Sequence, residues 1–248
     1  MRLARALAFQ IWLVAVTAVM LIVFMPLLAA PRRWLNGPYR LWTRLILGGF
    51  ERIVGVRTEL RGLERLPPEP VLVASKHQAM WDTVIFNTLL RDPVLVLKRE
   101  LLSIPVYGWY ARKFGMIPVD RGAHARALRG MVRAARERFA RGRSIIIYPE
   151  GTRARPGAAN PYRPGVAALY RQLDCPCVPV ALTSGLCWPR SGLGFHPGLI
   201  ILEILDPIPP GLNRREFMAE LEARIESATA HLLAEARADT ERAPAAAE

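Results

Sequence analysis

Val71-Leu-Val-Ala-Ser-Lys-His77-Gln-Ala-Met-Trp-Asp82 is the stretch that decides the fold. Its first residues, 71–74, are an apolar run too short for a helix and bounded by polar positions, the pattern of a buried strand. A polar turn follows, and helical spacing takes over across 82–90. The same alternation continues on the C-terminal side. Residues 93–97 (PVLVL), 116–119 and 144–148 (SIIIY) read as strands, as do 177–182 and 199–204. Between them, 104–114 reads as partly helical, 123–141 as an amphipathic helix and 165–173 as a short helix. In 123–141, Leu128, Met131, Val132, Ala135 and Phe139 recur at helical spacing, and arginines cover the other faces. Asn213 with Glu216 three residues on is a cap signal for a last helix carrying Phe217, Leu221, Ile225 and Leu232. Strands alternating with helices predict one α/β domain with a central mixed sheet flanked by helices.

The first fifty residues differ in character. From Leu7 to Ala30 the only clearly polar side chains are Gln10 and Thr17. A spanning helix needs about 20 apolar residues. The run exceeds the core of a secretory signal, which is about 7–15 residues long, so a retained anchor is the favoured reading over a cleaved signal. Pro26 is placed to kink it. Arg32, Arg33, Arg40 and Arg44 then interleave with Trp34, Tyr39 and Trp42, as at a headgroup interface. Residues 39–56 read as a second helix on the bilayer, with Leu41, Leu45 and Phe50 turned inward. The expected organisation is an N-terminal membrane-anchoring helical segment over 1–56, a catalytic domain over 57–237 and a flexible tail over 238–248. Arginine is denser after the apolar run than before it, which places the domain on the cytoplasmic side, at a cell inner membrane.

Charge and cysteines narrow the class. The chain of 248 residues carries a formal net charge of +13, almost all of its basic side arginine. That suits an anionic membrane, a phosphorylated substrate or nucleic acid. The arginine helix lacks the interleaved aromatics that single-strand binding wants, so nucleic acid is not an expected partner. Cys175, Cys177 and Cys187 make no disulfide framework. Cys175-Pro-Cys177 could be a metal or redox pair, but without a second pair at zinc spacing it reads as small apolar side chains entering a strand.

Three polar clusters follow three of the strands, where open α/β sheets bind ligands. His77 leaves the first, with Asp82 at the start of the next helix. A carboxylate on one ring nitrogen fixes the tautomer of a histidine base. A spacing of five requires His77 to precede the helix and a turn to fold it back. Asp82 as a plain helix cap beside an incidental histidine explains the same residues. The second cluster is Asp120-Arg121 and the third Pro149-Glu150-Gly151-Thr152-Arg153. Arginine gives phosphate two parallel donors. Lys98, after residues 93–97, is a further candidate for phosphate. His124, His196 and His231 lack a carboxylate at a strand end.

Taken together, these clusters resemble the glycerolipid acyltransferase family that includes the 1-acylglycerol-3-phosphate (lysophosphatidate) acyltransferases. His77-Gln-Ala-Met-Trp-Asp82 is similar to its His-x4-Asp block, Gly115-Met-Ile-Pro-Val-Asp-Arg121 to its second, and Tyr148-Pro-Glu-Gly-Thr-Arg153 to its third. Val178-Pro179-Val180-Ala181 resembles its fourth block. The blocks run in the family's order across roughly 70–182. Lys76 stands where many relatives have asparagine, a change that bears on loop geometry or acceptor choice, and Tyr148 stands for phenylalanine. The resemblance implies transfer of a fatty acyl group from acyl-CoA or acyl-carrier protein to the sn-2 hydroxyl of lysophosphatidate. Another lysolipid acceptor, such as lyso-ornithine lipid, is the alternative. It implies His77 as general base, Asp82 as its partner, and Arg121 and Arg153 as a phosphate clamp. Glu150 would hold an arginine or the glycerol, while Gly151 and Thr152, as residue types, allow close backbone approach and add a hydroxyl donor. No cofactor and no metal are implied. The expected partners are the bilayer, a lysophospholipid and the thioester. Two rivals from other classes are a membrane-tethered nucleic-acid or anionic-lipid binding protein, and a hydrolase using the same dyad on water.

Overall fold

The structure, a computed structural model, describes residues 2–120, 124–158, 160–190, 192 and 194–242. Its strands are β1 (Val56–Arg61), β2 (Leu72–Ser75), β3 (Val94–Lys98), β4 (Ile117–Val119), β5 (Ile145–Ile147), β6 (Cys177–Leu182) and β7 (Gly198–Ile204). They form one seven-stranded sheet in the order β1-β7-β6-β2-β5-β3-β4. β2 through β6 run parallel to one another, whereas β7 is antiparallel to β6 and carries β1 parallel to itself. The sheet is therefore mixed, as expected. The carboxyl ends of β5, β2 and β6 come out side by side on one edge.

The strand cores are apolar on both faces because both faces are covered. Side chains alternate along β2: Val73 joins one core, and Leu72 and Ala74 join the other. The first core is closed by α1 (Arg2–Val23), α2 (Asn36–Gly49), α3 (Trp81–Leu89) and α4 (Tyr107–Phe114). α5 (His124–Phe139), α6 (Gly165–Leu173) and α7 (Arg214–Arg242) close the second. The cap signal is realised: Asn213 Oδ1 accepts from the amides of Arg215 and Glu216, and Glu216 reaches back to the Asn213 amide. α7 runs on to Arg242, so residues 238–242, expected in the tail, are helical, and 243–248 lie outside the described residues.

At the N-terminus, α1 ends at Val23 and Pro26 sits in a separate 3-10 turn, Met25–Leu28, so the proline follows the helix instead of kinking it. The stretch Leu3–Val23 has a mean hydropathy of 2.4 and is long and apolar enough to cross a membrane. One face of α1 is nevertheless seated on the domain. Phe9 is fully buried among Phe50, Trp188 and Phe195, with ring centroids 4.9, 5.2 and 5.0 Å away. Burying such a side chain is worth about 2–3 kcal/mol. Trp12 Nε1 donates to the Leu45 carbonyl, Trp42 Nε1 to Thr17 Oγ1 and the Tyr110 hydroxyl to the Leu21 carbonyl, at 3.0, 3.0 and 2.8 Å.

The second helix is also corrected. Leu41 is exposed while Phe50 is in the core. Nine residues at 100° each put the two on opposite sides of a helix, so they cannot share an inward face. The helical path ends at Gly55, in the left-handed region at φ 87°. The strand β1 that follows was not expected.

Candidate active site

The edge shared by β5, β2 and β6 gathers most of the chemistry. His77 follows β2 directly. The chain then folds back so that Asp82, in the first turn of α3, faces it: Nδ1 of His77 is 2.9 Å from Asp82 Oδ2. The same oxygen accepts from the amides of Gln78 and Ala79 at 2.6 and 2.9 Å, and Oδ1 accepts from Ser184 Oγ. Asp82 is completely buried. Its four donors close the turn and hold the imidazole, so it serves as loop lock and histidine partner together. The alternative of a plain cap does not fit, because the capping position is Met80 and no side chain caps the helix there. A carboxylate can only accept, so Nδ1 carries the proton and the lone pair lies on Nε2.

Tyr148, at the end of β5, stacks on the imidazole with ring centroids 4.1 Å apart and an interplanar angle of 23°. Its hydroxyl donates to the Asp82 carbonyl at 3.0 Å. Burial and the neighbouring Asp82 charge raise this phenol well above the ordinary tyrosine range, which keeps the proton in that bond. The exchange of Phe for Tyr thus adds a tie between β5 and α3 that a phenyl ring lacks.

Beneath His77 is a buried charge cluster. Lys76 is 1% exposed, and its Nζ lies 2.8 and 2.9 Å from the two oxygens of Glu226 on α7 and 3.2 Å from Glu150 Oε1. Glu150 Oε1 also accepts from the His77 amide at 3.4 Å, and Oε2 from Asn160 Nδ2 at 2.9 Å. Tyr162 donates to Glu226 at 2.9 Å. Burial raises Glu150 above the usual carboxylate range, opposed by the Lys76 charge.

The expected site residues divide accordingly. His77, Asp82 and Glu150 meet. Glu150, however, holds Lys76 and the backbone of His77, not an arginine or a glycerol, because its carboxylate is turned wholly into the protein. Gly151 makes the turn after Tyr148 at φ +66°, and its amide donates to the Tyr148 carbonyl at 2.9 Å. A side chain there would be strained. Thr152 and Arg153 are half-buried beside it, and neither side chain has a hydrogen-bond or ion-pair partner among the described residues. Lys98 ends β3, two strand spacings or about 10 Å from β2. It is half-exposed and pairs with Glu100 at 3.1 Å. Arg121 lies outside the described residues.

The remaining contributors went unseen in the sequence. Ser184 follows β6 and is 102 residues from Asp82. Glu226 is 150 residues from Lys76. No local signal marks either one. Cys175, Cys177 and Cys187 are free and buried, which raises all three thiols, Cys187 to about 12. Among the described residues no set of three metal-ligating side chains gathers.

An apolar cleft of about 120 Å³ opens between α1, α2 and α4, lined among others by Leu21, Phe24, Tyr39, Trp42, Tyr107 and Phe114. Tyr39 in its wall is near enough to Tyr148 to bear on that phenol's charge.

A histidine base, oriented by a buried carboxylate and set beside an unpaired arginine, is equipped to deprotonate a hydroxyl on an anionic acceptor. The family model described as Acyltransferase matches residues 57–183. The 1-acyl-sn-glycerol-3-phosphate acyltransferase of Pseudomonas aeruginosa is 32% identical over 194 residues, which is 78% of this chain and 76% of that protein. The human 1-acyl-sn-glycerol-3-phosphate acyltransferase alpha is 30% identical over 67% of this chain and 60% of its own. The chain thus spans about three fifths of that longer relative. A crystal structure of the 1-acyl-sn-glycerophosphate acyltransferase of Thermotoga maritima superposes with a TM-score of 0.76 at 21% identity, over 94% of this chain and 98% of that one. The chain belongs to the acyltransferase family.

Proposed function

We propose that this chain transfers a fatty acyl group from an acyl thioester, acyl-CoA or acyl-carrier protein, to the sn-2 hydroxyl of lysophosphatidate, yielding phosphatidate. The observation that carries this reading is the His77–Asp82 contact of 2.9 Å, locked from behind, with no hydrogen bond to Nε2 among the described residues. The names of the relatives support the acceptor.

Nε2 of His77 takes the proton of the acceptor hydroxyl as that oxygen bonds to the thioester carbonyl. The C–S bond then breaks, and the proton leaves with the thiolate sulfur. General-base assistance of this kind is worth roughly 10²–10⁴ in rate. No covalent enzyme intermediate is called for, and the sequence holds no Gly-x-Ser-x-Gly elbow. Arg153 meets the acceptor phosphate, aided by Arg121 and by Lys98 from further along the edge. The apolar cleft takes an acyl chain. The exposed face of α1 meets lipid at a cell inner membrane, with the catalytic unit on the cytoplasmic side.

Purified His77→Ala and Asp82→Asn, assayed with acyl-CoA and lysophosphatidate, test the reading. His77→Ala should lose 10²-fold or more in kcat, and Asp82→Asn should follow it because the wrong tautomer is then favoured. Near-normal turnover in His77→Ala would end the assignment. Thioester loss without phosphatidate would identify a hydrolase instead.

A further inference from the structure

We propose that residues 101–109 form a second membrane-contacting element, carried by the catalytic unit itself. It inserts Leu101, Ile104 and Trp109 into the leaflet that meets the exposed face of α1, and it seats the mouth of the apolar cleft at the lipid surface. This rests on the reading of α1 as lipid-facing.

Exposed large hydrophobic residues are unevenly placed. Among the described residues beyond the first fifty they are Leu63, Leu101, Ile104, Tyr107 and Trp109, so four of the five fall within nine positions. Single exposed apolar side chains are ordinary, whereas a cluster marks a contact surface. Ile104 is 46% and Trp109 50% exposed. The backbone between them is strained. Val106 sits at φ 62° and ψ −57°, and the Tyr107 amide donates to the Pro105 carbonyl at 2.7 Å. A β-branched residue rarely adopts positive φ, and strain of this kind clusters at functional surfaces.

The patch adjoins the anchor. The Tyr110 hydroxyl donates to the Leu21 carbonyl of α1, and Tyr107 shares the wall of the apolar cleft with Met20 and Phe24. α1 itself cannot leave the domain without breaking the bonds of Trp12 to Leu45 and Trp42 to Thr17. Its free face carries Ile11, Val14, Val19 and Ile22, all exposed. A bilayer that reaches this face also reaches 101–109. Charge agrees: between residues 98 and 113 there are four basic residues, Lys98, Arg99, Arg112 and Lys113, against Glu100 alone. Basic residues flanking aromatic and aliphatic ones suit an anionic headgroup layer.

The full chain with Ile104→Glu and Trp109→Glu together tests this on vesicles of phosphatidylglycerol and phosphatidylethanolamine. α1 keeps both proteins on the vesicles, so sedimentation is not the readout. With a long-chain lysophosphatidate held in the vesicle, the double variant should lose about tenfold in kcat/KM. With a monomeric, water-soluble hexanoyl lysophosphatidate it should stay within twofold of the unaltered protein. Equal loss on both acceptors, or no loss on the vesicle acceptor, overturns the proposal. So does a change in oligomeric mass of the double variant in detergent, which would make the patch a protein interface. If the unaltered protein acylates neither acceptor, the reading of its reaction fails separately, and the depth of Trp109 decides this one. Quenching by brominated lipids, compared between the unaltered protein and Trp109→Phe, should show a quenched Trp109 contribution. An unquenched contribution overturns it.

Discussion

Replacing Lys76 with methionine keeps the unbranched apolar stem and removes the ammonium from a site that is 1% exposed. Two carboxylates lose their partner. Glu226 is 27% exposed at its side chain and can take water in compensation, but Glu150 is fully enclosed and cannot. Breaking a buried pair by deleting one partner costs about 3–5 kcal/mol because the other charge is stranded. Glu150 can escape part of this by taking a proton, since burial already holds it above the usual carboxylate range. A cost near 3 kcal/mol is therefore expected at pH 8. In a protein of this size that corresponds to about 6–12 °C in Tm. The pH dependence follows from the direction of the Glu150 shift. A carboxyl whose folded pKa is raised binds more protons in the native state than in the unfolded one between the two pKa values. Stability therefore falls as pH rises from about 4.5. Losing Lys76 raises Glu150 further and widens that window upward, so the deficit at pH 5 is the smaller one. Thermal unfolding followed by circular dichroism in detergent micelles, at pH 5 and pH 8, measures both. Lys76→Met/Glu150→Gln, which removes both charges, should recover more than half of the lost Tm at pH 8. A loss under 2 °C at pH 8, a deficit no smaller at pH 5, or no recovery in the double variant would refute the stranded-charge argument.

Further outcomes follow from other contacts. Ser184→Ala removes the hydroxyl from Asp82 Oδ1; a hydrogen bond to a charged group is worth about 1.5–3 kcal/mol, and steady-state assays should give a kcat about tenfold lower at an unchanged acceptor KM. Arg153→Ala should raise the lysophosphatidate KM about tenfold with kcat within twofold, as expected when one charge-assisted contact to phosphate is lost. A KM that stays put would mark the arginine as structural. Burial raises Cys175, Cys177 and Cys187, so iodoacetamide at pH 7.5 should leave all three unmodified until the protein is denatured, with labelling read by mass spectrometry.

Much of this was legible locally. β2, β5 and β6 stand out because strands buried on both faces have little room for polar residues. β1 was hidden for the opposite reason: Val56-Arg-Thr-Glu-Leu-Arg61 is an edge strand with charged side chains, and only Gly55 separates it from the helical run before it. The dyad's two members are close in sequence, but their spacing left a plain cap equally open, and it was the resemblance of the blocks that favoured the pair. Its supports were legible only in part: Glu150 was named in the third cluster, though with another role, and Ser184 and Glu226 were not. Ser184, Glu150 and Glu226 reach the dyad's neighbourhood only because β2 lies between β5 and β6 and α7 packs back across the sheet. Strand order is set by which apolar faces fit together across the whole core, and no window of ten residues carries that information.

The strand order also fixes the polar contacts on this edge. The groups that hold His77 have fixed partners: Asp82 has four donors, Glu150 is shared among Lys76, Asn160 and the His77 amide, and the Ala154 amide donates to the His77 carbonyl at 2.8 Å. Such a network is expensive to desolvate and is not there for stability alone, since a well-packed apolar core of the same volume would do as well or better. What it provides is a histidine held on its Nδ1 side by Asp82, with Nε2 left for the proposed acceptor. Preorganisation of this kind lowers a barrier because nothing has to move as the proton transfers. The same economy extends outward. Arg32 pairs with both oxygens of Asp92, which also meets Arg143, tying the segment after α1 to the connections that lead into β3 and β5. On the proposed reading, the orientation of α1 on the bilayer would set the angle at which an acceptor hydroxyl meets His77.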